Sequence, residues 1–363
     1  MAVVARGARL GLALNMKGRA MNGKLSEIAD YAHVSEATVS RVLNDRPGVA
    51  SGTRQSVLTA VDVLGYERPS KLRRRTAGLL GLVTPELTNP FFPLLAQTLE
   101  THLAAAGYTC VLCTQTPGGV HEDQYVEMLL ARGVSGIIFV SGYHADTKAD
   151  VARYTTLRER GLPIVLVNGY RPGIEANFIS HDDYASMRLA VQHLRDLGHR
   201  RIGFATGPSR YVPVQRRIEG FREAMAEVAP SAEIDSLIQT TLFSIEGGVT
   251  AARCLLDQGV TAIVCGSDLM ALGAVRAAEQ LDLRVPADVS VIGSDDFPLA
   301  GFTDPPLTTI RQDVHGIAEA AVTSILEEIA REKVVHREYL FAPELVLRRS
   351  TAPVPKRVGG DKD

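Results

Sequence analysis

The sequence predicts an all-α helix-turn-helix head followed by a larger α/β body of two lobes built on parallel sheets. Three observations carry this. Residues 24–66 show apolar positions at helical spacing, with polar punctuation between three short segments. From Leu79 onward, short apolar runs alternate with amphipathic stretches, the pattern of repeated βα units. Between the two regions, residues 67–78 carry a proline and five cations and no apolar period.

At 363 residues the chain is too long for one ordinary core. Its 45% hydrophobic and 22% charged composition is that of a globular protein. No apolar run approaches the roughly 20 residues that cross a bilayer, so no membrane partner is expected. Met1–Gly23 carries arginines and a short apolar patch, Leu10–Leu14, without the length or cleavage site of an export signal; it reads as a disordered extension. Pro353–Asp363 is polar, and a disordered tail is expected over 351–363. Cys110 and Cys113 form a CxxC, but they fall in an alternating segment, Tyr108–Thr114, that reads as a strand. Positions three apart on a strand face opposite sides, so the pair reads as packing residues rather than a metal site. The cysteine usage fits a reducing, cytoplasmic setting. Charge is divided unevenly: residues 1–76 hold 13 Lys and Arg against 6 Asp and Glu, and the remainder holds 26 against 35. A basic head on an acidic body points the head at a polyanion.

In the head, Leu25, Ile28, Ala29 and Ala32 share one helical face. After His33-Val-Ser35 a second helix opens at Glu36, with Ser35 placed as its N-cap. Val39, Val42 and Leu43 turn inward, leaving Glu36, Ala37, Ser40 and Arg41 outward. A third helix is predicted over about Thr53–Leu64, with Val57, Leu58 and Val61 inward. An α-helix fits the DNA major groove, and outward side chains near its N-terminus reach base edges. Arg41 can offer two donors to guanine, while Thr38, Ser40 and Asn44 suit phosphate oxygens. The bland alternative is a small helical bundle with a solvated polar face.

The run Leu25-Ser-Glu-Ile-Ala-Asp-Tyr-Ala-His-Val-Ser-Glu-Ala-Thr-Val-Ser-Arg-Val-Leu-Asn44, continued by Val49, Thr53, Arg54, Gly65 and Tyr66, resembles the DNA-binding signature of the LacI/GalR repressor family. The resemblance implies Glu36, Ala37 and Arg41 as base readers. His33 stands where the family usually has glycine; histidine is among the side chains more tolerant of left-handed backbone. In the linker, Pro69 breaks the preceding helix, and Lys71, Arg73, Arg74 and Arg75 are placed to lie along phosphates, or else form a solvated tether. The family's linker pushes a leucine into the minor groove and kinks the duplex. Here the linker is shorter and lacks the usual alanine–leucine pair, leaving Leu72 as the sole large apolar candidate for the wedge.

In the body, strands are predicted at Leu79–Val83, Thr109–Thr114, Gly136–Val140, Pro163–Val167, Ile202–Ala205, Ala262–Cys265 and Ser290–Gly293. Helices are predicted at Phe91–Ala106, Glu122–Arg132, Tyr184–Leu197, Arg217–Val228, Gly247–Gln258 and Leu269–Leu281. These are too many strands for one modest sheet, so two facing lobes should form a cleft, with ligands beyond the carboxyl ends of the strands. Thr84–Phe92, Asn168-Gly, Gly207-Pro, Arg217–Phe221, Ser267-Asp268, Gly293–Asp296, His193–Ile202, Val285–Ser290 and Pro306–Gln312 resemble the family's periplasmic-binding-protein-like sensor domain in order and spacing. The resemblance spans about residues 25–350. It implies a hinge over 67–78 and a sensor over 79–350, lobe one taking about 79–178 and 311–341 and lobe two about 179–310 and 342–350.

Carried over position by position, the effector contacts would be Phe91, Phe92, Asn168, Arg217, Phe243, Ser267 and Asp295. Arg217 offers a planar fork, Asp295 accepts paired hydroxyl hydrogens, Asn168 does either, and Phe243 offers a flat face to a pyranose. Many family members carry Asn or Asp where Ser267 stands. Each residue has a plainer reading: Phe91 and Phe92 as core, Asp295 as a strand-end turn, Arg217 as a surface ion pair. The resemblance implies a homodimeric, cytoplasmic repressor of carbohydrate-related genes, bound to a palindromic operator and switched by a small molecule, with a sugar as the first expectation. No catalytic residue, cofactor or metal is expected. A sugar-transport protein would share the two-lobed body, but with an export signal and no head. An enzyme would need a P-loop, a GxGxxG after a strand, a GxSxG elbow or zinc spacing, and the sequence has none of these.

Overall fold

The computed structural model describes residues 24–44, 46–66, 77–115, 120–331 and 335–354. The chain divides into two compact units between Thr76 and Ala77. The expected N-terminal extension lies outside the described residues, as do linker residues 67–76, with Leu72 and Arg73 among them.

The head contains α1 (24–31), α2 (Glu36–Leu43) and α3 (Ser51–Val63). Ile28, Ala29, Val39, Val42, Val57, Ala60 and Val61 form its core, with Leu25, Leu43 and Leu58 packed at the edge. The turn between α1 and α2 carries His33 at φ 53°, the left-handed backbone where glycine is usual. The Ser35 hydroxyl accepts from Thr38 N at 3.2 Å, which satisfies one of the orphan donors of α2. Tyr66 ties the end of α3 back to α1: its hydroxyl donates to Glu27 Oε2, and Lys24 Nζ lies 5.2 Å from its ring centroid.

The body runs β1 (Gly78–Thr84), α4 (Phe91–Ala105), β2 (Tyr108–Thr114), α5 (Glu122–Ala131), β3 (Gly136–Val140), α6 (Ala152–Glu159), β4 (Ile164–Val167) and β5 (Asn177–His181). It continues with α7 (Asp183–Asp196), β6 (Ile202–Thr206), α8 (Val212–Met225), α9 (Ser231–Ser236), β7 (Ile238–Thr240), α10 (Ile245–Asp257), β8 (Ala262–Cys265), α11 (Asp268–Glu279) and β9 (Ser290–Asp295). The last elements are β10 (Thr308–Arg311), α12 (Val314–Ile329), β11 (Glu338–Phe341) and β12 (Glu344–Val346). One six-stranded sheet has the order β11-β5-β4-β3-β1-β2 and the other β12-β10-β9-β8-β6-β7. All pairings are parallel except β10 with β12, as βα crossovers require. Interior strands such as β3 and β4 are buried along their whole length, which matches their unbroken apolar sequence.

Lobe one has a core on each face of its sheet. Cys110 packs against the one that contains Leu80 and Leu99, and Cys113 lies in the one that contains Phe139 and Tyr154. The strand period therefore separates the CxxC thiols, and all four cysteines are free. The lobes exchange chain three times, after β5, after β10 and after β11. Two of these points differ from the expected boundaries by a few residues. β5 extends lobe one to His181 rather than 178, and β10 keeps Arg311 in lobe two. Residues 351–354, expected in a disordered tail, are instead held on lobe two. His199 bonds the Ala352 carbonyl at 2.9 Å, and Val354 N donates to Leu197 O at 3.0 Å. Residues 355–363 lie outside the described residues.

Candidate functional site

The head presents one polar face of α2. Ser35, Glu36, Ala37, Arg41 and Asn44 are exposed, Thr38 and Ser40 are half-buried, and Val39 and Val42 anchor the opposite side. Local bonds steady the shorter groups: Ser35 Oγ and Thr38 Oγ1 lie 2.9 Å apart, and Asn44 Nδ2 donates to Ser40 O at 2.8 Å. The Glu36, Ala37 and Arg41 side chains thus stand outward from a rigidly capped helix, the geometry that entry into a major groove asks for.

In the body, a cavity of about 210 Å³ lies between the two lobes. Its walls come from the segments that follow the carboxyl ends of strands, as expected for facing parallel sheets. Lobe one supplies Glu86 and Asn89 after β1, Phe91 and Phe92 at the start of α4, Ser141 after β3 and Asn168 after β4. Asp183 follows β5 at the crossover; Tyr211, Arg217, Phe243 and Gly266 come from lobe two, with Asp295 ending β9 and Gln312 following β10.

Six of the seven expected effector residues line this cavity: Phe91, Phe92, Asn168, Arg217, Phe243 and Asp295. Ser267 is not among the lining residues. It is buried beside the cavity, and its hydroxyl accepts from Met270 N at 3.3 Å as the N-cap of α11. Phe91 fills both readings, being buried in the lobe-one core while its ring also lines the cavity.

Arg217 is not a surface ion pair. Its Nε donates to Asp183 Oδ1 at 2.7 Å and its Nη1 to Gly266 O at 2.6 Å, with both side chains buried. α8 delivers it, and that helix begins at Val212, five residues before the expected start, because Pro213 is accommodated in its first turn. Burial works against the guanidinium's charge, but Asp183 and Asp295 together hold its pKa above the ordinary value. Burial also raises Asp183, with Arg217 opposing. Asp295 is pushed up to about 7 by burial, against the opposing pull of Arg217 and of hydrogen bonds from Gln312 and Asn89. Gln312 Nε2 lies 2.7 Å from Asp295 Oδ1. Asp295 thus ties together a lobe-one loop, a lobe-two strand and a crossover segment.

The backbone is strained where it meets the cavity. Ser141, Asn168 and Asp295 take φ of 45°, 63° and 111°, values that non-glycine residues rarely adopt. Such positions cost about 1–3 kcal/mol each and cluster at sites where side chains must be aimed. The Phe243 ring packs against Gly207, where an added Cβ would fall 2.0 Å from it, so only glycine leaves room for the ring there. Gly169, at φ 123°, likewise lets the chain after Asn168 pass Ala145 closely.

A latch closes the cleft beside the cavity. Asp146 and Tyr211 form an antiparallel bridge between lobes, Thr147 N donates to Arg210 O at 2.9 Å, and Arg210 Nε lies 2.9 Å from Asp146 Oδ2. Near the crossovers, Arg216 of lobe two pairs with Glu338 of lobe one at 2.7 and 2.9 Å. Glu86, Asn89, Ser141, Asp183, Tyr211 and Gln312 were not expected in the site. Asp183 and Gln312 follow β5 and β10, two strands whose polar sequences the apolar pattern passes over. Among the described residues, no cluster of His, Cys, Asp and Glu is placed to hold a metal, and no helix is long and apolar enough to cross a membrane.

Comparison with known proteins agrees with this architecture. Residues 24–69 match the model for bacterial regulatory proteins of the lacI family, and residues 191–351 match that for a periplasmic binding protein-like domain. The chain is 61% identical to an uncharacterized HTH-type transcriptional regulator in the aml 5' region of Streptomyces limosus, over 91% of this chain and 94% of that protein. It is 58% identical to the HTH-type transcriptional regulator MalR of Streptomyces coelicolor, over 93% and 99%. Among solved structures it resembles the transcriptional regulator CelR–cellobiose complex (TM-score 0.68, 28% identity, 90% of this chain and 99% of that one). It also resembles the lac repressor dimer bound to operator and the anti-inducer ONPF (TM-score 0.67, 29% identity, 90% and 98%). With a helix-turn-helix head, a two-lobed body that encloses a cavity, and these relatives along nearly its whole length, the chain belongs to the LacI family of bacterial transcriptional regulators.

Proposed function

We propose that the protein is a cytoplasmic homodimer that represses carbohydrate-related genes, and that a sugar held between its lobes sets its grip on a palindromic operator. The observation that carries this reading is the cavity itself. It sets flat aromatic faces, Phe92, Tyr211 and Phe243, beside hydrogen-bonding groups from both lobes. That pairing of apolar faces with in-plane donors and acceptors suits a pyranose, and solved relatives hold cellobiose and ribose.

On this reading Phe91, Phe92, Asn168, Arg217, Phe243 and Asp295 contact the effector, joined by Asn89, Ser141, Tyr211 and Gln312. Glu36, Ala37 and Arg41 read bases, and Ser35, Thr38, Ser40 and Asn44 meet phosphates. Leu72 and Arg73 act in the linker. The chain performs no chemistry on its ligand. Because Asp295 and Arg217 contact the ligand from lobe two and Asn168 from lobe one, occupancy favours the closed lobes. Differential affinity between two states then sets how far DNA binding moves.

The test joins thermal-shift screening of sugars to operator gel shifts with the purified protein. One sugar should both raise the melting temperature and change operator affinity. Turnover of that sugar would support an enzyme instead.

A further inference from the structure

Family membership leaves the ligand's charge open, but the cavity's own charges narrow it. Among the described residues, four charged side chains line the cavity: Glu86, Asp183, Asp295 and the single cation Arg217. Arg217 is already committed, to Asp183 at 2.7 Å and to the Gly266 carbonyl at 2.6 Å. Its charge therefore offsets one carboxylate, and Glu86 and Asp295 remain. Asp268, buried behind Asp295, adds no cation; its oxygens accept from Phe297 N at 2.8 Å and Thr309 Oγ1 at 2.5 Å. The arginines of the adjoining latch do not line the cavity. Arg210 is paired with Asp146 at 2.9 Å, and Arg171 donates to the Asp146 carbonyl at 2.9 Å.

The hydrogen-bond inventory leans the same way. Gln312 spends its Nε2 on Asp295, and its Oε1 is buried without a partner. The ionised carboxylates of Asp295 and Glu86 on the cavity wall are acceptors, the complement of hydroxyl donors. A ligand that brings its own anionic oxygens gains nothing there and meets two carboxylates in a site of low dielectric.

We infer that the cavity selects a free, uncharged sugar with adjacent hydroxyl donors and excludes the phosphorylated or carboxylated form of the same sugar. This rests on the sugar reading above and specifies its ligand.

The test is calorimetric titration of the full chain with matched probes: ribose against ribose 5-phosphate, glucose against glucose 6-phosphate and gluconate, trehalose against trehalose 6-phosphate, and cellobiose. Assays at pH 8 keep Asp295, which burial raises to about 7, in its charged form. For whichever free sugar binds, the phosphate or acid should bind at least tenfold more weakly. Asp295→Asn and Glu86→Gln should each narrow that gap. A phosphorylated or carboxylated sugar that binds as tightly as its free counterpart overturns the inference while leaving the sugar reading intact. If no sugar in either form binds, the sugar reading falls first and takes this inference with it.

Discussion

Arg217 Nε donates to Asp183 Oδ1 at 2.7 Å, with the two side chains only 9% and 6% exposed. This joins α8 of lobe two to the residue that opens α7, directly after the first crossover between lobes. Arg217→Ala leaves the Asp183 carboxylate buried without its partner, and loss of one member of such a pair costs about 3–5 kcal/mol. Urea unfolding should show that loss, and effector binding should fall with it. A variant of unchanged midpoint would mean that the pair contributes nothing to the folded state.

Asp295 gives a signature in pH. Its pKa rises from about 3.9 in an unfolded chain to about 7 in the fold, chiefly through burial. A native state that holds the proton more tightly is favoured at low pH, and that advantage is lost as pH climbs through the raised value. Wild-type stability measured relative to Asp295→Asn should therefore decline between about pH 4 and 7 and level off above. A difference that stays flat across this window would remove the shift.

The latch makes a kinetic prediction. Arg210→Ala removes the ion pair to Asp146 but leaves the bridge that the Arg210 carbonyl makes with Thr147. The closed lobes should then open more readily, so effector dissociation should speed up several-fold in stopped-flow while operator affinity of the free protein stays unchanged. An unaltered off-rate would show that the latch does not limit opening.

Linker and recognition helix should respond differently to substitution. Arg73→Ala should lower the slope of log affinity against log salt by about 1 and weaken all duplexes alike. Arg41→Ala should instead cost about 1–3 kcal/mol on the preferred operator and relax base preference at one position. If Arg41→Ala weakens every sequence equally, the arginine meets phosphate rather than a base.

Sequence reasoning reached the head almost whole, because short helices announce themselves by caps and period. Ser35 caps α2, and Val39 and Val42 are buried where the pattern places them. It also found the interior strands β3, β4 and β8, whose unbroken apolar runs reflect burial on both faces. β5, β7, β10, β11 and β12 were missed. Asn177, Thr308 and Thr309 are buried polar residues, and β7 has only three residues, so neither length nor hydrophobicity marks them. Those missed strands deliver Asp183 and Gln312, so the same gap hid part of the site. Ser267 lies beside the cavity rather than in its wall: strand-end position predicted proximity, and its hydroxyl caps the N-terminus of α11.

In the proposed function, a ligand between the lobes sets the affinity of the α2 face for a particular duplex. The most direct measurement selects genomic fragments with purified protein at moderate salt, then titrates the winning duplex against random competitor with and without the sugar that stabilises the protein. A clear preference for one palindromic duplex is expected, shifted by the sugar by about 1–3 kcal/mol. No preference for any duplex, or a preference that the bound sugar leaves untouched, would contradict it.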